Sequence, residues 1–132
     1  MIGPVIHVDY RLVSETIPNK SYNQDQFVEE FLSPGLLGRK TLLTQHLLGQ
    51  PYFKSVSEDE IIVEWQQIAG HGRWMKGSHP LKKQVDKTSD GKSYMEQTLT
   101  KIDGRWKITG LKPSLLYEIG EFTELSDPKG GQ

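Results

Sequence analysis

The sequence predicts an α+β fold in which a curved, mostly antiparallel sheet forms a cone around a pocket. Three observations favour it: one amphipathic helical segment near the N-terminus, roughly five segments of strand-like alternation after it, and an Asp103-Gly104 dipeptide typical of a tight hairpin. With 132 residues the chain is expected to be one domain, 1–132, that buries a real core. Its tail, 124–132, is expected to be flexible.

The N-terminal part predicts a strand, a polar loop and one long helix. Residues 5–13 alternate and are rich in β-branched side chains, which favours a strand, and residues 14–23 read as a polar loop. Asn23 is the expected N-cap of the helix, and Gln26 stands where a capping box needs it. The helix is expected to end at the tripeptide SPG, residues 33–35. Its apolar face consists of Phe27, Val28, Phe31 and Leu32.

The pattern after the helix predicts strands. They span 40–49, 51–58, 60–75, 92–102 and 105–113. Asp103-Gly104 joins the last two as a hairpin turn. Residues 76–92 are expected to form a loop or a weakly paired extension, and a short C-terminal segment at 114–122 is expected to supply a second cover over the sheet.

Composition limits the classes of function. The 16 basic and 17 acidic residues nearly cancel, to a net charge of −1, which argues against nucleic acid as the main partner. The sequence has no cysteine, which excludes thiol nucleophiles, disulfides and cysteine-bound zinc. No segment approaches the roughly 20 apolar residues of a membrane span, and the N-terminus lacks the pattern of a signal peptide. We therefore expect a cytoplasmic protein with neither membrane nor nucleic-acid partners.

His46 and His71 are the candidate acid–base residues. Both lie inside predicted strands, and two imidazoles in one cavity can exchange protons near neutral pH because their ordinary pKa is about 6.5. Taken alone, each is more typical of a structural histidine in a strand. His7 and His79 are expected to be exposed. Tyr10 is the residue of its strand expected to face inward, where its hydroxyl needs a partner.

Other chemistries lack their motifs. A zinc site needs three or four ligands at workable spacing, and the sequence has no HExxH and no cysteine, so no metal is expected. No GxSxG, P-loop or GxGxxG occurs, which leaves nucleophilic hydrolysis, nucleotide hydrolysis and dinucleotide binding without support. We expect no cofactor. Three side chains share the His71 side of a regular strand at 60–75: Trp65, Gln67 and Ala69.

Five segments occur in an order typical of a known family: "VDYRLV", "TLLTQHLLG", "SVSEDEIIVEWQQIAGHGRW", "KIDGRWKITGLKP" and a closing "GEF". They resemble scytalone dehydratase, of fungal melanin biosynthesis, at nearly the family's spacing. The resemblance runs from about residue 6 to residue 122. It implies the cone-shaped α+β barrel of the nuclear transport factor two-like superfamily.

The resemblance also implies roles for individual residues. His46 corresponds to a catalytic acid–base histidine, and His71 to a second active-site histidine. Tyr10 corresponds to one of two tyrosines that hold a water on the substrate carbonyl, and Ser93 to a serine that orients the pocket histidine. The substrate-binding positions that we expect are Leu36, Leu37, Trp65, Gln67, Ala69, Met95, Pro113 and Phe122.

Departures from the family pattern predict a different substrate. Met95 stands where the family has an asparagine that hydrogen-bonds the substrate. The sequence begins after the position of the family's N-terminal helix, which carries a second tyrosine and an aspartate, and only ten residues follow Phe122. We therefore expect a more apolar pocket and a ligand related to scytalone but different from it.

The leading hypothesis is a cofactor-free lyase, a dehydratase that removes water from a cyclic hydroxy-ketone of fungal polyketide metabolism by histidine-mediated acid–base catalysis. One alternative is an isomerase, cyclase or pericyclase acting on a related intermediate. Another is a non-catalytic protein that binds a small molecule. The expected ligand is apolar and polycyclic or aromatic, and the resemblance implies a homo-oligomer, a trimer or a dimer.

Overall fold

The computed structural model describes residues 2–125, which form one six-stranded sheet, one α-helix and a short 3₁₀ helix. The strands are β1 (Ile2–Val8), β2 (Lys20–Asn23), β3 (Leu42–Val56), β4 (Glu60–Trp74), β5 (Val85–Ile102) and β6 (Arg105–Ile119). The helices are α1 (Gln24–Phe31) and the 3₁₀ helix η1 (Phe122–Leu125). Neither helix in this range is long and apolar enough to cross a membrane.

The sheet is mixed, in the order β2-β1-β6-β5-β4-β3. β1 runs parallel to β6, and all the other neighbours are antiparallel. Register shifts interrupt the ladders between β3 and β4, β4 and β5, and β5 and β6, and such bulges bend a strand and increase its twist. The predicted α+β class with a curved, mostly antiparallel sheet is confirmed.

The core lies between α1 and the β1 end of the sheet. Ile6, Val8 and Tyr22 are buried there, with 0, 3 and 2 % of their surface exposed. Phe27 and Phe31 stack on each other, with ring centroids 4.3 Å apart, and both rings meet Tyr22 edge-on. The helix is therefore held to the sheet by an aromatic cluster.

The start of α1 agrees with the capping-box prediction. The Asn23 side chain accepts a hydrogen bond from Gln26 N at 2.9 Å, and the Gln26 side chain accepts one from Asn23 N at 3.0 Å. The helix is eight residues long, shorter than expected, and it ends before the SPG tripeptide. Only half of its predicted apolar face packs against the core, since Val28 and Leu32 remain 46 and 60 % exposed.

Two strand boundaries near the N-terminus differ from the prediction. β1 ends at Val8 rather than at residue 13, because the chain turns after Tyr10, whose carbonyl accepts hydrogen bonds from the backbone of residues 13 and 14. β2 forms at the end of the segment predicted as a polar loop, where residues 20–23 pair with β1. Only Tyr22 of this short strand is buried, so hydrophobic alternation gave no signal for it.

The later strands are longer than predicted. β3 continues through Pro51, which is tolerated because β3 lies at the edge of the sheet. β5 begins within the predicted loop 76–92, and β6 extends to Ile119, where a second cover was expected. The Asp103-Gly104 hairpin is confirmed, with φ of 50° and 73° as a type I′ turn requires. Of the tail 124–132, residues 126–132 lie outside the described residues, and Leu125 is 1 % exposed.

Candidate active site

The candidate site lies on the same face of the sheet as the core under α1. Paired residues on neighbouring strands share a face, and side chains alternate along each strand. Val8 pairs with Leu111, Leu111 with Gln97, and Gln97 with Val63. His71 lies eight residues after Val63 on β4, without a register shift between them, so it faces the same side as the core.

Two adjacent rows of paired residues form the site. The first row consists of His46, Ala69, Gly91 and Glu118, from β3, β4, β5 and β6. The second row consists of Thr44, His71 and Ser89. Ala69 and Gly91, the two small residues of the first row, lie between His46 and Glu118, and we call this part of the sheet the floor of the site.

His46 and His71 form a close pair on this floor. Their ring centroids are 5.3 Å apart, and the ring planes are inclined at 78°. Thr44 Oγ1 lies 2.8 Å from Nδ1 of His71. A hydroxyl can donate to a neutral ring nitrogen or accept from a protonated one, so this hydrogen bond suits either protonation state and leaves Nε2 of His71 available.

The surroundings of His71 favour its neutral form. Burial lowers the pKa of His71 below its usual value of 6.5, and the nearby His46 lowers it further, while Asp90 and Glu118 act in the opposite direction. The imidazolium of His71 is therefore a stronger acid than that of an ordinary histidine. Phe122 contributes to the burial, since its ring meets the His71 ring edge-on with centroids 4.9 Å apart.

Phe122 is held in place from two sides. Its backbone N–H donates to Oε1 of Glu118 at 3.2 Å, and the same oxygen accepts a 2.6 Å hydrogen bond from Oγ of Ser89, a residue that is 1 % exposed. On its other side, the Arg39 guanidinium lies 5.4 Å from the ring centroid. The turn between β6 and η1 requires glycine at position 120, because φ there is +76° and a Cβ would lie 2.0 Å from the Thr88 carbonyl oxygen.

Most of the predicted substrate-binding residues share the histidine face. They are paired in two further rows, Gln67 with Ser93, and Trp65 with Met95 and Pro113. Within residues 2–125, no hydrogen bond joins Ser93 to His46, so the hydroxyl that fixes a site histidine is that of Thr44. The Trp65 indole N–H is already engaged, since it donates to Gln97 at 3.0 Å.

Tyr10, Leu36 and Leu37 belong to segments outside the paired rows of the site. The backbone near Tyr10 runs along β6, because Asp9 N donates to Leu111 O and Leu115 N donates to Leu12 O. The Tyr10 side chain packs against the core cluster under α1, and among residues 2–125 no hydrogen bond joins it to either site histidine. The half-buried Leu36 and Leu37 lie in the segment between α1 and β3, which also carries Arg39.

Three residues of the site escaped the sequence analysis: Thr44, Ser89 and Glu118. Thr44 had a local signal, because it precedes His46 by two positions and so shares its face of an alternating strand. Ser89 and Glu118 had none, since they are 29 positions apart and lie in segments predicted as loop and cover. Across residues 2–125, no three histidine or carboxylate side chains converge as a metal site would require.

Comparison with known sequences identifies close similarity to one family. The family model described as scytalone dehydratase matches residues 1–129. The dehydratase cfoI of Aspergillus candidus is 38 % identical over 131 residues, covering 99 % of this chain and 76 % of that protein. The scytalone dehydratase of Pyricularia oryzae is 34 % identical over 122 residues, covering 92 % of this chain and 67 % of that protein.

Solved structures agree on the fold. A candidate scytalone dehydratase from Novosphingobium aromaticivorans superposes with a TM-score of 0.67 at 18 % identity, covering 99 % of this chain and 76 % of that one. An NTF2-like protein from the same species superposes with a TM-score of 0.53 at 12 % identity, covering 87 % of this chain and 64 % of that one. The fold is therefore the NTF2-like cone that the sequence resemblance implied.

Proposed function

Since the chain belongs to the scytalone dehydratase family, we propose that it is a cofactor-free lyase that dehydrates a cyclic hydroxy-ketone of fungal polyketide metabolism. The observation that carries the proposal is the imidazole pair of His46 and His71, whose ring centroids are 5.3 Å apart on the floor of the site. Two imidazoles placed side by side suit a reaction that takes one proton and returns one.

The elimination moves one proton through the pair. His46 removes the proton α to the substrate carbonyl, and the electron pair of the C–H bond becomes part of an enolate. The enolate then re-forms the carbonyl as the β C–O bond breaks, which leaves a C=C bond and releases hydroxide. An imidazolium of the pair protonates the hydroxide to water, and tautomerisation of the product gives an aromatic ring.

Electrostatics disfavour two protons on the pair. Two imidazolium ions at this distance repel each other, so protonation of one ring opposes protonation of the other. The lowered pKa of His71 makes its imidazolium a good donor to the leaving hydroxide. Thr44 keeps the ring oriented throughout, because its hydroxyl pairs with Nδ1 in either state.

The floor around the pair suits a flat, apolar ligand. Ala69 and Gly91 lie between His46 and Glu118, and the neighbouring rows add the apolar side chains of Met95 and Pro113. We propose an apolar polycyclic or aromatic substrate whose carbonyl meets the Tyr10 side of the site, directly or through water. Met95 accepts no strong hydrogen bond, which supports a ligand with fewer polar groups than scytalone.

We also propose that the protein acts as a homo-oligomer. The reverse face of the sheet has a row of paired residues, Leu47, Ile68, Lys92 and Tyr117. Leu47, Ile68 and Tyr117 are 54, 47 and 54 % exposed, and they line a groove of about 420 Å³ on this face. A second copy of the chain that covers this face would remove the apolar surface from water.

The test is turnover by matched histidine variants. His46→Ala and His71→Ala are compared with His79→Ala, which makes the same change in the loop between β4 and β5. Candidate hydroxy-dihydro-naphthalenones and anthracenones are incubated with each protein, and loss of one water is followed by mass spectrometry. We expect turnover by the unchanged protein and by His79→Ala, and a fall of roughly 10²–10⁴-fold for His46→Ala, as is typical of a positioned acid or base.

A second candidate function is an isomerase, cyclase or pericyclase. It is favoured by Met95 at a position where the resemblance implies a polar group, and by the lack of a hydrogen bond between Ser93 and His46 in residues 2–125. Such reactions depend on shape and need less acid–base chemistry. Full activity in both site-histidine variants would refute the dehydratase mechanism in favour of this alternative, while binding without any turnover would indicate a carrier.

A further inference from the structure

We propose that Glu118 is a positioning residue, which acts on His71 by fastening the turn that carries Phe122 to the buried Ser89. This inference rests on the proposed function, since it treats His71 as a working residue of the site. Glu118 touches neither histidine through a hydrogen bond in the described residues. Its influence passes through the 118–122 turn and through its charge.

The hydrogen bonds of Glu118 with Ser89 and Phe122 form a clasp between β5 and the 118–122 turn. Oε1 of Glu118 accepts from Oγ of Ser89 at 2.6 Å and from N of Phe122 at 3.2 Å, so one oxygen joins β5 to the first residue of η1. Ser89 pairs with His71 across β4 and β5, which places the anchor of the clasp directly beside the ring it affects. The Phe122 ring then contacts His71, with the two ring centroids 4.9 Å apart.

The anchor is rigid. Ser89 is a polar residue with only 1 % of its surface exposed. Its hydroxyl would therefore be costly to leave without an acceptor. The Glu118 carboxylate is its partner, although Glu118 as a residue is exposed. A charged acceptor makes the stronger kind of hydrogen bond, which favours the closed turn over an open one.

The clasp has two separable effects on His71. Seating Phe122 buries the ring, which disfavours the imidazolium, while the negative charge of Glu118 favours it. The other polar or charged groups on the side of His71 or of its cover are His46 and Thr44 from β3 and Arg39 near the Phe122 ring. Asp90 of β5 pairs with Gly70 and so lies on the reverse face, from which its charge also favours the imidazolium. Substitutions of Glu118 can separate the two effects, because glutamine keeps the acceptor oxygen and loses the charge.

The test uses NMR of the free protein, so it needs no substrate. Nuclear Overhauser contacts between the Phe122 and His71 rings report the clasp, and the pH midpoint of the His71 ring signals reports the charge. The variants are Glu118→Gln, Glu118→Ala and Ser89→Ala. Glu121→Gln is the matched control, since it removes the same charge from the same turn at a side chain with no hydrogen bond in the described residues.

We expect Glu118→Ala to abolish the contact between the two rings and Ser89→Ala to weaken it. Glu118→Gln should keep the contact and move the His71 midpoint to lower pH by more than Glu121→Gln does. The Phe27–Phe31 contact, at 4.3 Å, should persist in every variant and shows that the fold is intact.

Two results would overturn the proposal. One is a Phe122–His71 contact of full intensity in both Glu118→Ala and Ser89→Ala, because the clasp would then hold nothing. The other is a His71 midpoint that Glu118→Gln and Glu121→Gln shift equally. Neither result depends on turnover, so a protein that dehydrates nothing still tests the clasp, and a failed clasp leaves the dehydratase proposal in place.

Discussion

Replacing Thr44 with valine removes the hydroxyl from His71 while keeping the shape of the side chain. The lost hydrogen bond is 2.8 Å long and joins Oγ1 to Nδ1. A neutral hydrogen bond of this kind contributes about 0.5–1.5 kcal/mol net, and the low end applies here because Thr44 is exposed. If that energy goes into orienting the ring, turnover should fall by roughly 2- to 3-fold.

The assay for Thr44→Val combines turnover with ¹⁵N NMR of the imidazole. The hydroxyl can pair with Nδ1 of either neutral tautomer, so its removal should take away the hydrogen bond at that nitrogen and shift its ¹⁵N signal. Thr44→Ser keeps the hydroxyl and is the control that should preserve both readouts. An unchanged Nδ1 signal and unchanged turnover in Thr44→Val would refute the role assigned to this bond.

Three further predictions concern stability and assembly. Because burial puts the pKa of His71 in the folded protein below 6.5, the unfolded chain binds this proton first as the pH falls. The free energy of unfolding should therefore decrease as the pH drops from about 6.5 toward the folded pKa. His71→Gln should lose this part of the pH dependence, measured by urea unfolding between about pH 7.5 and about pH 5.5. Tyr22→Phe removes a buried hydroxyl that donates to Glu30 at 2.9 Å and should lower the free energy of unfolding by roughly 1 kcal/mol, measured in urea. Leu47→Asp should shift the oligomer toward monomer in sedimentation velocity, and an unchanged species would place the interface elsewhere.

The parts of the fold that local patterns specify were predictable. Asn23 and Gln26 signalled the start of α1, and Asp103-Gly104 signalled the last hairpin, because each depends on neighbours within three residues. The histidine pair was also accessible, since strand alternation and hairpin connection bring His46 and His71 to one face.

What escaped prediction depends on contacts between distant segments. Pro51 seemed to divide β3 into two strands, and only the position of β3 at the sheet edge explains why the strand continues. The first residues of β5 are mostly polar, so their pairing partners, rather than their own alternation, decide that they are extended. The Ser89–Glu118 bond joins residues 29 positions apart and has no local signature.

The position of β3 also has a consequence for the lifetime of the site. His46 belongs to an edge strand with one neighbour, β4, whereas His71 belongs to β4, which is paired on both sides. Edge strands can detach in local openings that cost less than global unfolding. Amide hydrogen exchange in residues 42–48 should therefore be faster than in β4, because detaching β3 separates the two imidazoles without unfolding the rest of the sheet.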